Sequence, residues 1–378
     1  MLLQKYLRDG NSIEDLAAKY AIKTSRHRKY DNLVLFKYNM IESPMAETIV
    51  QECRGIILDE GSDWAIVSRP FDKFFNHGEG HAKELDWNTT KVQEKVDGSL
   101  MTIYVYDNTW HVASSGTPDA GGLVNDFGFS FAELFWKTFD QYDIVLPKKD
   151  CGMCFMFELC SQYNKIVVRH STPSLTILGA RNLATQQEMT PSDALKFFES
   201  WDSERRTDSR RTFDKLKAVK EFPLTSFEEI FATFPSINPL SMEGYIGVDA
   251  KFNRQKIKSP AYVSLHHMKD GLGSKKNLVN IVRCGEISEI VTYFPEYSAV
   301  LYDAKLKLDA LIAELESNYD TIKDIPIQKD FALKAITTRC SSALFAIRAG
   351  KLPSFKQYFQ EMNIDSVMKL LGYQAEVI

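Results

Sequence analysis

The chain changes its hydrophobic rhythm once, and that change limits what it can fold into. From Asp31 it runs as short segments rich in β-branched and aromatic residues, broken by Gly, Asp and Asn. These are Leu33–Tyr38, Gly55–Leu58, Trp64–Ser68, Leu100–Tyr106, Trp110–Ser114, Phe155–Leu159, Lys165–Val168, Leu175–Gly179, Glu243–Val248 and Arg254–Lys258. Branched and ring side chains suit a pleated, half-buried surface, so each segment is a predicted strand. After about Lys275 the pattern stops. Ala299–Tyr319, Gln328–Ala349 and Ser354–Leu371 repeat their apolar residues at helical spacing, with few turn signals. Helices are also predicted over Ile13–Ile22, behind a capping-box-like Ser12 and Asp15, over Phe129–Tyr142, and from Thr190-Pro191. The expectation is an α+β fold. Mainly antiparallel sheets with flanking helices occupy residues 1–270, and an all-helical domain occupies residues 271–378.

Composition bears on partners. A net charge of -4 argues against an extended basic face, so any nucleic acid is expected to meet only a local positive groove. Met1–Tyr20 mixes Lys5, Arg8, Asp9, Glu14 and Asp15 among apolar residues, and no charge-free run of spanning length follows. A cytoplasmic, membrane-free protein is therefore expected. The six cysteines have no regular spacing. Cys151-Gly-Met-Cys154 leads into apolar Phe155-Met-Phe, where a redox motif would open a helix, so it reads as structural. The charged stretch Asp202–Lys220, with Arg205, Arg206, Arg210 and Arg211, is either a solvated face or an RNA-phosphate patch.

Chemistry concentrates elsewhere. Glu94-Lys95-Val96-Asp97-Gly98-Ser99 sets Lys95 at a strand end before a tight Asp-Gly turn. A lysine is a nucleophile only once deprotonated, which burial or neighbouring cations favour. Lys256 and Lys258 lie two apart on a predicted strand, hence on one face, with Ile257 turned to the core. Glu158 and Glu243 sit in otherwise apolar strands, where a carboxylate is costly unless paired or bound to a metal such as Mg²⁺. Arg54 and Lys73 add cations at strand ends, suited to phosphates.

This ordered set resembles the covalent nucleotidyltransferases, and most closely the RNA ligase family of T-even bacteriophages. The matching segments are Tyr38-Asn39, Glu52-Cys-Arg-Gly-Ile56, Ser68-Arg-Pro with Lys73-Phe-Phe-Asn76, Lys95-Val-Asp-Gly-Ser99, Phe157-Glu158, Glu243-Gly-Tyr245, and Lys256-Ile-Lys-Ser259 with Tyr262-Val-Ser-Leu-His266. The resemblance implies a nucleotidyltransferase (ATP-grasp-like ligase) fold and three steps. Lys95 takes AMP from ATP, the AMP passes to an RNA 5′-phosphate, and a 3′-hydroxyl displaces it. It also implies that Tyr38, Arg54, Lys73, Lys256 and Lys258 bind ATP, that Glu158 and Glu243 hold Mg²⁺, and that Tyr262 is catalytic. The implied partner is RNA with such ends, cleaved tRNA included, met by a monomer in the cytoplasm (a host's, for a viral protein). DNA ligases and capping enzymes of the superfamily follow their last lysine motif with short strands, whereas helices are predicted here. A non-catalytic RNA-binding repair protein of the same fold is the alternative from another class. Two segments depart from the family pattern: Ala113-Ser114-Ser115 stands where some relatives carry lysines, and Ser288-Glu289 where relatives carry an acidic pair.

Overall fold

The computed structural model describes residues 1–142, 144–201, 215–267 and 274–373. The segment containing Arg205, Arg206, Arg210 and Arg211 and the expected domain boundary at 270/271 lie outside them. Contacts divide the chain into two units, Met1–Asn39 with Ser43–Tyr262, and Met40–Glu42 with Val263–Ile378.

The first unit is built on three sheets. In the first, β1 (Ile22–Arg26), β2 (Leu33–Tyr38), β3 (Arg54–Asp59) and β4 (Ala65–Ser68) lie in that order, all antiparallel. The second has the order β11 (Glu188–Met189), β10 (Ser174–Asn182), β9 (Met153–Cys160), β7 (Ser99–Tyr106), β8 (Thr109–Ser114), with β12 (Lys217–Ala218) parallel to β10. In the third the order is β13 (Glu221–Phe222), β6 (Lys91–Lys95), β14 (Gly244–Val248), β15 (Arg254–Lys258), β5 (Phe75–Asn76), the last pair parallel.

The apolar runs explain the layering. Alternate residues of a strand face opposite sides. In β2, Val34 and Phe36 pack on α1 (Leu2–Arg8), α2 (Ile13–Tyr20) and α3 (Thr48–Glu52), while Leu33 and Leu35 face a core shared with Tyr104, Cys154 and Met156. In β9, Phe155 and Phe157 pack on α4 (Phe131–Phe139) and α5 (Pro191–Ser200), with Phe155 and Phe198 centroids 4.5 Å apart. Both strands are therefore apolar on both faces. The same parity puts Glu158 on the Cys154–Met156 side of β9.

Several expectations are corrected. The first predicted helix ends at Tyr20, because Ala21 takes a left-handed φ of 52° and Ile22 starts β1; α1, ahead of it, was not predicted. Lys165–Val168 is not a strand: the Val167 and Val168 amides donate to the Asp97 carboxylate instead of to a neighbouring strand. The two-residue strands are too short to show periodicity, and went unpredicted.

The described elements of the second unit are helical. Following α6 (Phe227–Thr233) and α7 (Pro260–His267) in chain order, they include α8 (Lys275–Cys284), α9 (Ile287–Tyr293), α10 (Ser298–Ile322), α11 (Gln328–Ala335), α12 (Ser341–Arg348), α13 (Phe355–Glu361) and α14 (Ile364–Leu370). Gln328–Ala349 and Ser354–Leu371 each read as one helix but form two. Cys340 breaks the first with a φ of 54°, and Asn363 caps a new helix in the second. The apolar spacing persists across each break because both halves bury side chains in one core around Leu301, Leu315, Phe331, Leu344 and Phe359. Among the described residues, no helix is long and apolar enough to cross a membrane.

Candidate active site

Lys95 ends β6, and the ladder sets its neighbours. Gly244 of β14 pairs with Lys95 on one side and with Lys258 of β15 on the other. Glu243, 3% exposed, precedes that glycine and serves both lysines: Lys95 Nζ lies 2.5 Å from Oε2, and Lys258 Nζ lies 3.6 Å from Oε1. A Cβ at Gly244 would stand 2.4 Å from the Ile257 carbonyl oxygen, so only glycine lets the strands close here.

The turn after Lys95 is held from behind. Asp97 Oδ2 accepts the Val167 and Val168 amides at 3.0 and 2.7 Å, and Oδ1 accepts the Tyr262 hydroxyl at 2.8 Å. His170 Nε2 donates to the Asp97 carbonyl at 2.9 Å. A Cβ on Gly98 would meet the Leu159 carbonyl oxygen at 2.5 Å, so the turn lies directly on β9. Tyr262 is 2% exposed. Its hydroxyl ties it to the lysine motif through Asp97, and it does not line the cleft described next.

In front of Lys95 is a cleft of about 250 Å³, lined by Arg54, Phe74, Lys95, Glu158 and Lys256 and by apolar Leu100, Leu178, Val219 and Ile246. The Arg54 guanidinium and the Lys256 ammonium lie 5.0 and 5.4 Å from the Phe74 ring centre. Lys73 Nζ lies 5.0 Å from the Tyr38 ring and 5.3 Å from Phe75. Burial, then the charges of Lys73, Arg54, Lys258 and Lys95, hold Lys256 well below the usual lysine range. Burial and the cation cluster thus act together on Lys256; Lys95 has the Glu243 carboxylate as its partner.

Glu158 carries the opposite strain. Burial pushes its carboxyl up to about 8 against the pull of Lys95; Glu243 and Asp97 add to the rise and Arg54 opposes it. Between 4.5 and about 8 the folded protein keeps a proton that the unfolded chain has released. Stability from this group is therefore full at low pH and is lost as pH rises through about 8. In thermal unfolding without nucleotide or metal, Glu158→Gln should gain on the wild type as pH rises from about 5 to about 8. A difference in melting temperature that stays constant with pH would refute it.

The structure thus brings Lys95, Arg54, Glu158 and Lys256 to one cleft, Glu243 and Lys258 to its lysine, and Lys73 beside Tyr38. Two contributors were not picked out from the sequence. One is Asp97 as an anchor, legible only in the Lys-x-Asp-Gly spacing. The other is Lys37, opposite Arg54 in the ladder, whose ammonium lies 3.7 Å from where a Cβ on Gly116 would stand, next to the departing Ala113-Ser114-Ser115 segment. Ser288 and Glu289 fall in α9 of the second unit.

A lysine, flanking cations and two carboxylates around one cleft suit a polyphosphate and the charge that moves when it is cleaved. The chain belongs to the RNA ligase family, whose sequence model matches residues 52–262. It is 30% identical to a putative bifunctional polynucleotide kinase/RNA ligase of Autographa californica nuclear polyhedrosis virus over 320 residues. That match takes in 80% of this chain but only 43% of the viral protein. It is 26% identical to an RNA ligase of Rhodothermus phage RM378, across 83% of this chain and 84% of that one. An archaeal ATP-dependent RNA ligase structure aligns with 82% of this chain and 81% of its own, at 12% identity and a TM-score of 0.43.

Proposed function

We propose that the chain is an ATP-dependent RNA ligase that carries AMP on Lys95 and joins 5′-phosphate to 3′-hydroxyl RNA ends. The observation that carries this reading is the Lys95–Glu243 pair at the mouth of a cleft lined by cations. Glu243 Oε2, at 2.5 Å, is placed to take the proton that Lys95 Nζ must lose. The freed amine attacks the ATP α-phosphorus, forming an N–P bond as the bond to pyrophosphate breaks. An oxygen of the RNA 5′-phosphate then displaces Lys95, and the RNA 3′-hydroxyl displaces AMP to leave the phosphodiester. Lys256, Lys258 and Arg54 offset negative charge on the phosphoryl oxygens, and Lys73 with Tyr38 holds the nucleotide's polar end. Lys37 supplies the cation that some relatives place just before Gly116. Tyr262 acts as a positioning residue, through Asp97.

The residues present fit a divalent metal. The Glu158 carboxyl takes no hydrogen bond or ion pair among the described residues, and no group of three or more His, Cys, Asp or Glu there could hold an ion alone. One or two carboxylates completed by substrate phosphates is the usual Mg²⁺ environment. Glu158 and Glu243 would hold it, and when bound it neutralises phosphate oxygens during transfer.

The test is covalent labelling. With Mg²⁺ and α-labelled ATP the protein should carry a denaturation-resistant label, and GTP or NAD should give none. Labelling from NAD with none from ATP would overturn the reading. We further propose that residues 1–270 suffice for this step and that the helical region governs RNA choice. A folded chain ending near Lys275 should label as the full chain does; if it does not, this division fails.

A further inference from the structure

Residues 161–170 form a loop tied to the lysine motif at two places. Asn164 Nδ2 donates to Ser99 Oγ at 2.9 Å, and the Val167 and Val168 amides donate to Asp97. On its outer side Tyr163 meets a second loop: its ring lies 5.0 Å from Phe127 and 5.2 Å from Phe129, and its carbonyl accepts from Asn125 Nδ2 at 2.6 Å. Three large apolar side chains here remain in water, with Leu123 63%, Phe127 52% and Ile166 48% exposed. An exposed group of this kind beside the nucleophile's turn calls for something to cover it.

We infer that this patch is a base-stacking platform for unpaired RNA next to the ends being joined. The inference rests on the RNA-ligase reading and names where that substrate lies. Bases offer flat apolar faces to exposed rings, and every base has one, so such a platform is indifferent to sequence. Exposed Lys165 and Arg169 flank it, against the single exposed acid Asp126 within 123–130, which favours a partner with a phosphate backbone. Its ties to Ser99 and Asp97 fix it to the turn that carries Lys95, where RNA ends must arrive.

The test uses the full chain with Phe127→Ala and Phe127→Trp, and a short 5′-phosphorylated oligoadenylate as probe. Phe127→Ala should raise the KM for this RNA roughly tenfold or more, the scale of one lost base–aromatic stack, with ATP labelling of Lys95 unchanged. Phe127→Trp should restore the KM, and its added fluorescence should be quenched by the RNA. An unchanged KM in Phe127→Ala, or labelling that falls alongside, would overturn the platform. So would a change confined to the protein's self-association, which would mark a protein-docking face. If the wild type does not label at all, the ligase reading fails separately, and quenching alone then decides whether RNA stacks here.

Discussion

Lys95→Ala should abolish covalent labelling by ATP and yet still seal RNA whose 5′ end is already adenylylated. In the proposed role the lysine is required only to accept and pass on AMP, and pre-adenylylated RNA arrives with both transfers complete. What remains is attack by a 3′-hydroxyl, for which the roles proposed for Lys256, Lys258, Arg54 and Glu158 need no bond to Lys95. The expected result is labelling below detection beside measurable sealing. Covalent adenylate on the Lys95→Ala protein would show that another lysine is the nucleophile and would remove the central assignment.

Glu243→Ala should damage both reactions. This carboxylate is paired with Lys95 at 2.5 Å and Lys258 at 3.6 Å, so its loss removes one counter-charge from two ammonium groups at once. Removing one such electrostatic group typically slows a reaction about a hundredfold or more. Breaking a buried pair also destabilises the fold, by about 3–5 kcal/mol in comparable cases, so Glu243→Gln, which keeps the shape, is the companion variant. Rates of labelling and of sealing pre-adenylylated RNA, measured on folded protein, should both fall. Sealing at the wild-type rate in either variant would confine Glu243 to the first step.

The lysines could be read from the Asp-Gly turn after Lys95 and the two-residue spacing of Lys256 and Lys258, the two carboxylates from their setting. A charge inside an apolar strand is costly, so it stands out wherever it is kept. Strands such as β2 and helices such as α4 were visible because their side-chain periods are local. The short strands, the break at Cys340 and the loop at Lys165–Val168 were not. In each case the deciding partner is distant or the element is too short to repeat.

From the sequence alone came the mixed strand-then-helix plan, the Lys95 turn, and the set of cations and carboxylates that could serve one phosphate site. These depend on residue type and on spacing within a few positions. Only the tertiary structure decided that Asp97 is an anchor, that Tyr262 stands behind the turn, and that Lys256 is the lysine whose proton is loosened. Asp97 draws its donors from 70, 71 and 165 residues away. The field on Lys256 comes from cations on three other segments, at Arg54, Lys73 and Lys95, and from Lys258 at the end of its own strand. Hydrogen bonds and charge effects of that kind act through space, and no local pattern in the chain records them.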